Sequence, residues 1–209
     1  MSRPILLGAV AVLAAACAAD QPAPPVSEVV APLFVTGGGQ DKNLGTHLDG
    51  AGEVFTPANP GDPTPADSRG QGQAIFRISA DGSSVDFKLI ASNIDNVIMA
   101  HIHCAIPGQN GPIRMWLYPV IGPTGAPGPN GTGRHDGILA SGTFSPTGVV
   151  CPASAVGQDM PLLDAIRAGL TYVNVHTNDG VDGVNTGPGD FPGGEIRGQL
   201  VPPGSQGGE

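Results

Sequence analysis

The sequence predicts an all-β domain, a Greek-key β-sandwich or barrel, with one short helix. Three observations predict it. Gly (33) and Pro (22) make up roughly a quarter of the 209 residues, a density that breaks long helices and suits short strands joined by turns. Apolar residues are 40% and charged residues only 13%, so the chain can bury a core and lacks the charge of a disordered one. Between the turn signals lie segments in which apolar and polar residues alternate, the period of a half-buried strand.

In chain order, residues 1–3 place one positive charge before the apolar run 5–16. That run is too short to span a bilayer and has the length of a signal-peptide core, so 1–16 is read as a signal peptide. Leu13-Ala14-Ala15-Ala16-Cys17 resembles a bacterial lipobox, which implies cleavage before Cys17 and a lipid on its thiol. The leucine stands one position early, and plain secretion is the alternative. Residues 17–42, Pro- and Ala-rich, read as a tether between anchor and domain. The expected location is the cell envelope, the outer membrane or the cell surface, reached through the lipid anchor.

The β domain is placed at 43–201, with a disordered tail at 202–209. Its first strand is expected over 43–55, weakened by glycines. Residues 72–79 and 84–92 flank Asp81-Gly82, a hairpin signal. Further strands are expected at 97–104, 111–118, 138–145, 170–177 and 195–201. The helix is expected over 159–169, with Asp159 as its cap, Pro161 in its first turn, Gly169 at its end, and Leu162, Leu163 and Ile166 on its buried face. Residues 122–133 carry a Gly-X-Y rhythm too short for a triple helix and read as a long exposed loop.

Charge excludes one class of partner. The balance is 9 basic against 18 acidic residues, a net −9, and no basic run exists, so a nucleic-acid surface is not expected. An exported chain sits in an oxidising compartment, and with Cys17 acylated only Cys104 and Cys151 remain to pair. Their disulfide would close a loop of about 48 residues, worth ~3–4 kcal/mol in the chain-entropy model. The competing reading, Cys104 as a metal ligand beside His103, runs against strand alternation.

The same alternation organises the candidate site. In 97–104, Ala100 and Ile102 face the core, and His101 and His103 project together from the opposite side. In 170–177, Val173 and Val175 face the core, and Tyr172, Asn174 and His176 share the other face. If these strands are neighbours, three imidazoles converge, a set that suits copper or zinc. Solvated or hydrogen-bonded histidines are the plainer alternative. His47 is a candidate extra ligand, and His135 lies in an expected loop. Glu195 and Arg197 share a strand face. They read either as an ion pair locking the last strand or, with Asn174, as groups supporting the histidines from behind. The Asp and Asn residues of 178–190 fit calcium or ordinary turn chemistry, and they lack the EF-hand spacing. No nucleophile elbow, P-loop or dinucleotide fingerprint is present.

Ala100-His101-Ile102-His103, followed by Gly108-Gln109-Asn110-Gly111-Pro112-Ile113, resembles the CHRD (chordin-type) domain. Leu170-Thr171-Tyr172-Val173-Asn174-Val175-His176-Thr177 and Pro192-Gly193-Gly194-Glu195-Ile196-Arg197-Gly198-Gln199-Leu200 are similar to that family's closing signature, and Leu48-Asp49-Gly50-Ala51-Gly52-Glu53-Val54 to its opening strand. The resemblance covers roughly residues 44–201 and implies an extracellular β-sandwich module with no settled activity. His-x-His followed by Val-x-His also resembles the copper site of copper/zinc superoxide dismutases, but only at His101, His103 and His176. The fold is therefore expected to be superoxide-dismutase-like or immunoglobulin-like. The leading functional expectation is a non-enzymatic envelope module with a copper or zinc site, facing a protein or glycan partner. A copper-dependent redox enzyme and a purely structural envelope protein are the alternatives.

Overall fold

The computed structural model describes residues 43–181 and 185–201. The expected signal peptide, Cys17, the tether to residue 42 and the tail from 202 lie outside the described residues. Among the described residues ten strands form: β1 (Asn43–Asp49), β2 (Gln71–Ile78), β3 (Val85–Asp95), β4 (Val97–Cys104), β5 (Ile113–Tyr118), β6 (Arg134–Phe144), β7 (Val150–Cys151), β8 (Met160–Pro161), β9 (Thr171–Thr177) and β10 (Ile196–Leu200). Two short helices, α1 (Ala153–Val156) and α2 (Leu162–Arg167), lie between β7 and β9.

Eight strands make one antiparallel sheet in the order β5-β4-β9-β10-β1-β2-β3-β6, which curls until β5 and β6 approach each other. This is the expected all-β sandwich or barrel. Alternation is cleanest in β2, where Ala74, Phe76 and Ile78 point inward and the residues between them face solvent. β2 and β3 pair from Gln71↔Ser92 to Ile78↔Val85, around the turn foreseen at Asp81-Gly82. There Asp81 Oδ1 accepts from Ser83 N, Ser83 Oγ and Ser79 Oγ, and Gly82 takes φ +72°. Leu48, Phe76, Leu89, Ile102, Val173 and Ile196 are among the side chains of the single apolar core.

Four local expectations need correction. The first strand stops at Asp49, and a 3-10 turn, Gly50–Gly52, follows, with Asp49 Oδ1 accepting from Gly52 N at 2.8 Å. Here backbones come too close for side chains: a Cβ on Gly50 would lie 1.8 Å from the Pro65 carbonyl oxygen. Asp159 does not cap α2. It accepts from Ala153 N, at the start of the unforeseen α1, and α2 begins after Pro161 with no side-chain cap. On α2 it is Leu162, Ala165 and Ile166 that are buried, with Leu163 only partly so. β6 starts at Arg134, because His135 and Arg134 pair with Ile94 and Asp95 of β3 across an irregular register.

Cys104, on the core face of β4, is disulfide-bonded to Cys151 of β7, with Cα atoms 5.6 Å apart. The bond ties the β7–α2 segment to the sheet and leaves Cys104 to the core rather than to the histidines.

A buried three-histidine cluster

β4 and β9 are antiparallel neighbours, with His101↔Asn174 and His103↔Tyr172 in register. β10 lies beside β9, so Arg197 falls opposite Asn174. One polar row therefore crosses three strands from His101 through Asn174 to Arg197, and the next row holds His103 and Tyr172. The parity argument holds, but this face is not solvated. His101 is fully buried, His103 and His176 are 7% and 5% exposed, and Tyr172, Asn174 and Arg197 are also buried. The barrel wall thus separates the apolar core from a second, polar interior.

One ring nitrogen from each of His101, His103 and His176 lies within 4.8 Å of the others. The tautomers follow from their neighbours. His103 Nδ1 is 2.8 Å from the Gly111 carbonyl and His176 Nδ1 is 2.8 Å from the Pro192 carbonyl. A carbonyl only accepts, so each Nδ1 carries the proton and each Nε2 keeps a lone pair. His103 Nε2 and His101 Nε2 are buried with no hydrogen-bond partner. His176 Nε2 lies 3.2 Å from His101 Nδ1 and 3.0 Å from Asn174 Oδ1.

Packing fixes the rings. His101 meets the Trp116 ring edge-on, 4.2 Å between centroids, and His103 stacks on Tyr172 at 4.7 Å and 9°. The Arg197 guanidinium covers the Tyr172 ring at 3.4 Å from its centroid, a cation–π contact. Arg197 also donates to Asn110 Oδ1 and the Gln109 carbonyl, pinning the loop that supplies the Gly111 acceptor.

Burial holds all three imidazoles neutral. It pushes His101 down to about 2, helped by His176 and His103. His103 and His176 are pushed down to about 4, again chiefly by burial and against the pull of their carbonyl partners. Neutral imidazole is the form that ligates metal.

Glu53 is the site residue that sequence reading missed. The 3-10 turn after β1 carries it off the strand and over this face, and its Oε1 is buried without a partner. Burial raises its carboxyl to about 7, against the Arg197 charge and the Asn174 amide. Gly194 sits against this pair: a Cβ there would be 2.5 Å from Glu53 Oε1 and 3.0 Å from Asn174 Nδ2. The signal was an acidic residue inside an apparent strand with glycines on its N-terminal side.

Other candidates fall elsewhere. Glu195 and Arg197 do not form the expected ion pair. The Glu195 carboxylate is fully buried and accepts from Ser68 Oγ, Thr177 Oγ1 and Gly189 N, which fastens two loops to the end of β9 and keeps it off the histidines. His47 projects outward from β1, its side chain 59% exposed and 3.7 Å from Asp49, and is not in the cluster. In the 178–190 loop, Asp179 accepts from Val181 N and Asp190 from Thr186, which is turn chemistry; Asp182 lies outside the described residues.

The fold and site define an all-β barrel module with a buried, pre-oriented trio of neutral histidines. The CHRD domain signature matches residues 44–200, and the chain belongs to the CHRD domain family. No curated protein and no solved structure matches it.

Proposed function

We propose that this protein is an exported, lipid-anchored envelope module that holds a transition-metal ion, copper or zinc, on His101, His103 and His176, and acts by binding rather than by catalysis. The observation that carries this reading is the set of ring nitrogens within 4.8 Å of one another, two of whose rings are turned by backbone carbonyls so that Nε2 carries the lone pair. Nitrogens bound to one ion at about 2.0–2.1 Å lie roughly 3.3 Å apart at a tetrahedral angle. The His101–His176 pair is already at 3.2 Å. With His101 offering Nδ1, the unpartnered Nε2 of His103 and the donor set fit such an ion, because an orphaned buried acceptor is costly until a cation or donor meets it. An ion here would supply positive charge and an attachment point for an anion or a partner's side chain. The near-complete burial of the rings favours holding an ion over admitting a bulky substrate. The lipid anchor rests on the Cys17 motif.

The test is elemental analysis of protein purified after export, with Cys17→Ser in place of the anchor. Stoichiometric copper or zinc, lost in both His101→Ala and His176→Ala, is expected. Protein that stays metal-free even after incubation with either ion overturns the reading. Fractionation tests the anchor: the unmutated chain should sediment with membranes and Cys17→Ser should not.

A further inference from the structure

The histidines are not the only acceptors aimed into the cluster. Asn174 lies between His103 and His176, with Oδ1 3.0 Å from His176 Nε2. An amide beside an imidazole normally donates to it or accepts from it. Here His176 Nδ1 has its proton on the Pro192 carbonyl, so Nε2 of the neutral ring can only accept, and Oδ1 can only accept. The amide nitrogen lies on the other side, next to the Glu53 carboxyl. Gly194 packs against both groups and leaves no room for a side chain there. The oxygen thus faces the histidines with the Glu53 carboxyl behind the amide. His176 Nε2 accepts from His101 Nδ1 at 3.2 Å, but its 3.0 Å contact with Asn174 Oδ1 sets acceptor against acceptor, and a cation matches such a pair.

We propose that Asn174 Oδ1 is the fourth protein donor to the ion, and that Glu53 is the positioning residue that turns the amide oxygen inward. The proposal rests on the three-histidine reading and extends it to a three-nitrogen, one-oxygen set. Imidazole and carbonyl donors suit divalent zinc, cobalt or copper(II), and no soft thiolate or thioether is supplied of the kind that favours copper(I). The site therefore selects the divalent form.

Cobalt(II) is the probe, since its visible d–d absorption is intense when four-coordinate and weakens as water adds to the shell. The full chain carrying Cys17→Ser is titrated with cobalt(II), and dissociation constants are measured with the spectra. The parent should bind one ion with an intense four-coordinate band. Asn174→Ala should bind at least about tenfold more weakly, with a weaker, shifted band as water takes the fourth place. Asn174→Asp, which keeps an oxygen at that position and decides the matter if the alanine variant does not fold, should restore the intense band. Glu53→Gln should fall between parent and Asn174→Ala. A spectrum unchanged in Asn174→Ala, whatever its affinity, overturns the assignment of Oδ1 while leaving the histidine site intact. Failure of the parent to bind cobalt, zinc or copper removes both readings.

Discussion

Acid stability gives the most quantitative test of the polar interior, and the perturbation is pH alone on chelator-treated protein. Between about pH 4.5 and 6.5 the unfolded chain carries protons on His101, His103 and His176, whose ordinary value is 6.5, while the folded chain holds them at about 2, 4 and 4 and carries none. The folded pKa values are depressed, so this contribution is lost as pH falls below 6.5. Glu53 works the other way: raised from 4.5 to about 7, it is protonated in the folded state and ionised in the unfolded one over the same window. Three protons gained on unfolding and one lost leave a net uptake of about two, so stability should fall by roughly 3 kcal/mol per pH unit on acidification. Stability should climb with pH and level off above about pH 7.5, where the unfolded histidines have lost their protons and folded Glu53 has ionised. Asp81, held down to about 2 by its turn hydrogen bonds, titrates below this window. Urea unfolding at half-unit pH steps measures the slope. Glu53→Gln should steepen it to about 4 kcal/mol per unit by removing the opposing proton, and His103→Gln should lower it by about one proton's worth. A slope near zero, or one that Glu53→Gln leaves unchanged, would refute the placement of these groups in a common water-poor interior.

Two further outcomes follow from backbone geometry and cross-linking. Replacing both Cys104 and Cys151 by serine should lower stability by ~3–4 kcal/mol through the freed loop, seen as a lower urea midpoint. Gly111→Ala places a Cβ 1.8 Å from the Cys104 carbonyl oxygen. The strand end must shift, at about 1–3 kcal/mol, and with it the carbonyl that orients His103, so metal affinity should drop by about 10–100-fold even in the folded fraction. Calorimetric titration with zinc checks the second effect.

Much of this arrangement was legible because strands write their faces into the sequence with a period of two. Ala100 and Ile102 against His101 and His103, and Val173 and Val175 against Asn174 and His176, sorted the two sides correctly before any pairing was known. The pairing itself was not legible. Residues 105–170, 66 in all, separate the two strands, and their adjacency depends on the crossovers of the whole sheet. Nor did composition show that the polar side was buried, since alternation says which residues share a face and not what covers it. The cover comes from loops: the Gln109–Gly111 stretch held by Arg197, the Pro192 carbonyl, and Glu53 brought over by the turn after β1. Such contacts are tertiary and leave no periodic trace. Glu195 misled for the same reason. It precedes β10, which begins at Ile196, so strand parity does not reach it, and Ser68, Thr177 and Gly189 take its oxygens.

The two strands bearing the rings are moored on their reverse side by oily packing through Ala100, Ile102, Val173 and Val175. Their alignment is consequently fixed by the scaffold and does not wait for a guest. Small zinc modules collapse when stripped; here the packing and the disulfide supply the framework, so an ion on the proposed site would come and go within a finished building. Cargo and architecture can then have separate lifetimes.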